Sequence, residues 1–200
     1  GNDSVIRTNG VQWIHAGSGL YHSEGMTESF REKGGDFEMI QLWINLKKEH
    51  KMSEPTYIGA NESDLGKIKA EQSEIFVVSG EINGVSGPVE NFSQVTSAMV
   101  KSAGKDELKL EFHGNTKMIY VLSGAIKING ETFIGKQLVQ MDNENSLRIE
   151  IQEASRLLVL GGDKIKEPIR AYGPFVMNTQ SEIIQALNDA ETGKMGYLAG

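Results

Sequence analysis

The 200 residues carry 20 Lys and Arg against 27 Asp and Glu, for a net charge of −7, and no cysteine. The acidic balance excludes a general grip on nucleic-acid backbones, which needs clustered positive charge, and the lack of thiols excludes disulfide or thiolate–metal support. An apolar share of 38% suffices for a core and excludes disorder, while no run is long enough to cross a bilayer and no basic-then-apolar leader opens the chain.

The length fits one large or two small domains, and the composition fits a cytoplasmic protein without membrane contact. Val5-Ile6 and Val11 to Ile14 read as two short strands joined across Asn9-Gly10, a pair that tolerates positive φ. Gly17-Ser18-Gly19 then forces a loop. No helical pattern follows it, so these glycines serve a turn rather than a phosphate cradle.

His22-Ser23-Glu24 comes next. On an extended strand the side chains alternate, so His22 and Glu24 face the same way with Ser23 opposite. An imidazole and a carboxylate on one face suit a first-row divalent metal. The plainer alternative is a histidine at a strand end beside a solvated glutamate.

Phe37 to Leu46 has the pattern of a strand apolar on both faces, with Ile40, Leu42, Ile44 and Leu46 opposite Phe37, Met39 and Trp43. Trp13 and Trp43 read as core residues. Lys47-Lys48 and Lys51 read as a solvated turn, with His50 on the surface. Met52 to Leu65, with Pro55 and Gly59, reads as a linker.

Short apolar runs with turn signals follow. Ile75 to Val78 precedes Gly80 and Asn83-Gly84. Leu108, Leu110 and Phe112 alternate with Glu107, Lys109 and Glu111. Met118 to Leu122 turns at Ser123-Gly124 into Ala125 to Ile128, and Asn129-Gly130 turns into Glu131 to Ile134. Leu147 to Ile151 and Arg156 to Leu160 complete a series that predicts an antiparallel sandwich or barrel, such as a jelly roll. His113 has no second ligand candidate at strand spacing and reads as a loop or core histidine. Thr179-Gln180-Ser181-Glu182 is a capping box that opens a helix with Ile183, Leu187 and Ala190 on one face and Gly193 as its stop.

Four segments together resemble the pirin family of two-domain cupins. They are Val11-Gln12-Trp13 through His22-Ser23-Glu24; Gln41-Leu42-Trp43-Ile44-Asn45-Leu46 followed by Met52, Glu54-Pro55 and Tyr57; Gly80-Glu81, Gly84-Val85 and Gly87-Pro88-Val89; and Gly161-Gly162 through Glu167-Pro168, Tyr172-Gly173-Pro174-Phe175-Val176-Met177-Asn178-Thr179 and Gly193-Lys194-Met195-Gly196. The matches follow the family's order along nearly the whole chain.

The resemblance implies an all-β bicupin, two antiparallel double-stranded β-helix (jelly-roll) barrels, with an added C-terminal α-helix. Residues 1–56 would be an incomplete N-terminal cupin carrying half of a metal site, 57–178 a C-terminal cupin without one, and 179–200 the helix and tail. In the family, one iron is held by an upstream His-x-His pair and by the His-x-Glu pair, which makes His22 and Glu24 metal ligands here. The upstream pair should precede Asp3-Ser4 and is absent from this chain, about a third of that domain being missing. His15, seven positions before His22, is not placed by spacing.

The family is associated with quercetin 2,3-dioxygenase activity and, in animals, with transcription-factor partners. The implied activity is that of a non-haem iron oxidoreductase acting on a flavonol, with Glu24 available to accept a proton, and no catalytic residue beyond that is assigned. With two of its ligands absent, this chain is expected to be inactive on its own. The competing readings are a metal-dependent protein-interaction or regulatory module, and a truncated cupin with neither metal nor activity. Uncovered strand edges and the apolar Phe37 to Leu46 run predict a homodimer.

Overall fold

A computed structural model of the chain describes residues 4–142, 144 and 146–198. In chain order its regular elements are β1 (Val11–His15), α1 (Glu28–Lys33), β2 (Thr56–Ala60), β3 (Gly66–Lys69), β4 (Ser73–Ser79), β5 (Glu81–Ile82), β6 (Val85–Ser86), β7 (Thr96–Ser102), β8 (Asp106–Glu111), β9 (Thr116–Ser123), β10 (Ala125–Ile128), β11 (Glu131–Ile134), β12 (Leu138–Asp142), β13 (Ser146–Ile151), β14 (Ser155–Gly162), β15 (Arg170–Tyr172), β16 (Phe175–Met177) and α2 (Gln180–Glu191). They form two compact units. Among the described residues, one takes Ala60–Lys164 with Arg7–Val11, and the other takes residues 4–6, Gln12–Gly59 and residues 165–198.

The Ala60–Lys164 unit is a cupin jelly roll. A six-stranded sheet in the order β12-β9-β14-β7-β4-β3 faces a four-stranded sheet in the order β11-β10-β13-β8. Their ladders are antiparallel. One apolar cluster fills the space between them, drawing Val77, Val100, Val121 and Val159 from the first sheet and Leu110, Ile126 and Ile149 from the second. The alternation seen in the sequence produces this. In β8, Leu108 and Leu110 are buried while Glu107, Lys109 and Glu111 are exposed.

The turns are those the sequence calls for. Asn129 and Gly130 have φ of 51° and 84°, and they join β10 to β11 in a two-residue hairpin with Ile128 opposite Glu131. Asn83 and Gly84 do the same between β5 and β6.

Strand β7 gives no clear sequence signal because its buried positions include the hydroxyl residues Thr96, Ser97 and Ser102. Its Ala98 and Val100 nevertheless enter the core, and its serines satisfy one another across the sheet. Ser97 Oγ lies 2.8 Å from Ser79 Oγ, and Ser73 donates to Ser102 Oγ at 2.9 Å. Burial of such hydroxyls is tolerated because each has a partner.

Phe76 points out of the same sheet and is covered by two lysine stems, with the Nζ atoms of Lys67 and Lys101 each 5.0 Å from its ring centroid. Lys117 is buried at 1% exposure, packs its ammonium 4.6 Å over the Phe112 ring, and donates to the carbonyls of Phe112 at 3.0 Å and Gly114 at 2.8 Å.

The other unit contains a two-stranded sheet of β1 and β2, helix α1, the β15–β16 hairpin and helix α2. Thr179 caps α2 in the predicted capping box with Glu182, Ile183 and Ala186 are buried, and Gly193 ends the helix region with φ 76°. The partner of β1 differs from the expected one. Asn9 (φ 63°) and Gly10 do make a turn, but Val5-Ile6 forms no strand, and β1 pairs instead with β2, inside the stretch read as a linker. Gly59 in β2 is not a breaker but a close-approach residue, since a Cβ there would come within 3.1 Å of Ile6 Cδ1.

Phe37 to Leu46 departs most from expectation, because residues 34–47 carry neither helix nor strand. Periodicity reports which faces could be covered, but a strand also needs a ladder partner, and this segment has none among the described residues. Trp43, expected in the core, is 64% exposed.

Candidate metal centre

The metal candidates follow a loop whose shape is set by β1 and Ser53. His15, the last residue of β1, is 6% exposed, and its Nε2 lies 2.5 Å from Ser53 Oγ. Ser53 Oγ donates to the His50 carbonyl at 2.7 Å, so the imidazole is the donor in the His15–Ser53 pair. The Ser53 carbonyl accepts from Ser18 N at 2.9 Å, and Gly19 N closes back on Ala16 O at 2.8 Å. Gly17 has to be glycine here, since its φ is +48° and a Cβ would lie 2.1 Å from Ser53 O. The glycines read as turn residues are therefore a clamp between β1 and Ser53.

Burial and the nearby His50 hold the His15 imidazole below its ordinary value near 6.5. Above pH 6.5 both folded and unfolded chains hold it neutral. As pH falls below 6.5 the unfolded chain takes up a proton first, so stability drops until the folded value is passed. Urea midpoints from pH 8 to pH 5 should therefore fall more steeply for this chain than for His15→Gln. Equal slopes would remove His15 from the account.

Beyond the clamp, residues 21–27 are irregular and exposed. His22 and Glu24 lie on this stretch rather than on a paired strand, and their side chains still meet, with His22 Nε2 4.0 Å from Glu24 Oε1 and both open to solvent. Two donors bound at right angles to one metal at about 2.1 Å lie about 3.0 Å apart. The pair therefore fits a metal after one side-chain rotation of about 1 Å, which exposed side chains make freely. Among the described residues no group of three or more His, Asp or Glu side chains gathers as a ligand set. His113 is exposed and pairs with Asp163 at 3.4 Å. It lies in the Ala60–Lys164 unit, not in the unit of His22 and Glu24.

Lys51 overturns the reading of Lys47 to Lys51 as a solvated turn. Its side chain is buried and donates to Asn45 Oδ1 at 2.7 Å and to Val176 O, in β16, at 2.9 Å. Desolvation pushes its pKa below the ordinary lysine value, and Glu167 and Glu182 oppose that shift. Glu167 in turn accepts from Lys48 N at 2.8 Å and Asn178 Nδ2 at 3.1 Å. Lys51 and Val176 are 125 positions apart, and Lys48 and Glu167 are 119 apart, which is why no local pattern reveals these contacts.

Residues 1–44 match the Pirin family model and residues 98–196 match the Pirin C-terminal cupin domain. A Pseudomonas aeruginosa protein named "Putative quercetin 2,3-dioxygenase" is 35% identical over 188 residues, covering 92% of this chain and 66% of the relative. A Thermoplasma acidophilum protein of the same name is 31% identical, covering 97% of this chain and 81% of the relative. This chain thus spans about two thirds of the first relative's length and four fifths of the second's. The crystal structure of quercetin 2,3-dioxygenase from Acinetobacter baumannii superposes with a TM-score of 0.90 at 34% identity, covering 97% of this chain and 69% of that one. With both family models matched in order and the jelly roll in place, the chain belongs to the pirin family of cupin proteins.

Proposed function

We propose that His22 and Glu24 are two ligands of a divalent metal ion, iron by family resemblance, and that the complete site acts on a flavonol-type aromatic as a quercetin 2,3-dioxygenase does. The observation that carries this reading is the open His22–Glu24 pair, 4.0 Å between donor atoms, in a chain whose relatives bear the quercetin dioxygenase name. Bound iron would supply Lewis-acid chemistry toward the substrate's oxygen atoms. The chain's own share is to present the imidazole and carboxylate on a segment fixed by the Gly17–Ser53 clamp, and to hold Glu24 where it can take a proton.

Two donors on one segment give a weak grip, because tight sites draw on three or more ligands held by the fold. The test is iron content after dialysis against a moderate chelator, for the 200-residue chain and for a fusion that adds the N-terminal segment of the Acinetobacter relative. The chain alone should retain well under one iron, and the fusion should retain about one. Tight retention by the chain alone would overturn the two-ligand premise. An empty fusion would remove His22 and Glu24 as ligands.

A metal-dependent interaction module is favoured by one observation, the exposed apolar run from Phe37 to Trp43. Oxygen uptake by the iron-loaded fusion with quercetin separates the two readings, since a module that only binds consumes none.

A further inference from the structure

Residues 48 to 53 form a bracket between two distant parts of the chain. Lys48–His50 is a single 3-10 turn, continued by Lys51 N on Lys48 O at 3.2 Å and Ser53 N on His50 O at 3.3 Å. On one side the bracket is tied to residues 167–178. Glu167 accepts from Lys48 N at 2.8 Å, and the Lys51 ammonium donates to Val176 O at 2.9 Å. On the other side Ser53 grips the end of β1, with its hydroxyl at His15 and its carbonyl at Ser18 N.

Lys51 is the centre of this bracket. At 6% exposure it is a buried charge, and such a charge is kept only where oxygens and acids surround it. Asn45 Oδ1 and Val176 O take two of its three protons, while Glu167 and Glu182 favour the charged form. Asn178 ties the two acids together. Its Nδ2 donates to Glu167 Oε2 at 3.1 Å, and its backbone N donates to Glu182 Oε2 at 3.1 Å. All of these residues belong to the unit that contains His22 and Glu24.

We propose that Lys51 is a positioning residue: by fixing Ser53 it holds the Gly17–Gly19 loop, and that loop sets where His22 and Glu24 stand. The inference rests on the proposed reading of this pair as metal ligands. His22 is three residues beyond Gly19, a reach of at most about 11 Å. If Ser53 lets go, the nearest hold is the end of β1 at His15. The tether to His22 is then seven residues, with a reach of about 25 Å. A ligand on the longer tether spends less of its time where a metal needs it, so affinity falls.

Lys51→Met keeps an unbranched apolar stem and removes the ammonium. In the 200-residue chain it should speed amide exchange of Ser18 and Gly19 by at least about tenfold, with amides in the middle of α2 unchanged. In the iron-loaded fusion it should raise the iron dissociation constant by about tenfold, as changes to groups that orient a ligand do. Ser53→Ala should act in the same direction. The Lys51→Met/Ser53→Ala variant should lose no more than the stronger single change, because both act along one path. Glu167→Ala loosens the bracket's other tie and should also speed exchange at Ser18, so it decides the matter if Lys51→Met does not fold.

Equal acceleration in α2 would make Lys51 a structural residue only and overturn the proposal. Unchanged iron affinity, or losses that multiply in the double variant, would overturn it too. A parent fusion without iron would overturn the metal reading by itself, and exchange at Ser18 and Gly19 would then decide whether Lys51 holds the loop.

Discussion

In the iron-loaded fusion, Glu24→Ala lowers the iron retained against a chelator by at least about tenfold, while His113→Ala leaves it unchanged. The first half follows from ligand count. Changes to groups that only orient a metal ligand already cost about ten- to a hundredfold in affinity, and removing a ligand costs at least as much. Glu24 is well suited to such a change because its side chain is partly open to solvent, beside His22 at 4.0 Å. Alanine there buries nothing and removes no core contact, so a loss of iron reads as loss of a donor and not as misfolding. The second half is the control. His113 is exposed, pairs with Asp163, and lies in the Ala60–Lys164 unit. Iron determination by atomic absorption after dialysis reads both variants. If Glu24→Ala retains as much iron as the parent fusion, the carboxylate is not a ligand.

Ile149→Ala in the jelly roll lowers stability by about 2–5 kcal/mol. Ile149 has no exposed surface, and its strand β13 lies between β10 and β8 in the four-stranded sheet. Sheet neighbours on both sides limit any collapse into the space left by the lost methyl groups, which places the cost in the upper half of that range. A unit of this size has about 5–15 kcal/mol in all, so the transition midpoint should fall by about 10 °C or more. Ile134→Ala is the matched comparison. Ile134 is 56% exposed in the edge strand β11, and its loss should stay within about 0.5 kcal/mol. Calorimetry of both variants checks the pair. Similar shifts would mean that the core does not lie between the two sheets.

The jelly roll was legible because its signals are local. The Asn129-Gly130 turn and the Leu108/Leu110 alternation each state a backbone shape or a buried face within ten residues, as the Thr179 capping box does for α2. Strand β7 was not legible because its signal is not hydrophobic: Ser97 and Ser102 are buried by partners in β4 that a window cannot see. The Phe37 to Leu46 run failed in the opposite way. Its pattern is strong, but pattern specifies a face and not a partner. Of the candidate centre, the His22–Glu24 pair could be read from two-residue spacing, yet it meets on irregular backbone and not on the strand that spacing suggested. The Ser53 clamp on His15 and Gly17 was invisible, since it joins positions 38 and 36 residues apart through a carbonyl and a hydroxyl.

Lys51 and Lys117 give the molecule two internal clocks. Each is withdrawn from solvent, each spends its ammonium protons on backbone or amide oxygens, and each lies in a different unit. An acylating reagent consumes the surface amines at once, but it reaches these two only when the surrounding unit opens. Mass-resolved labelling over time would then time the opening of the Gln12–Gly59 unit at Lys51 and of the jelly roll at Lys117, from one sample and without any substitution.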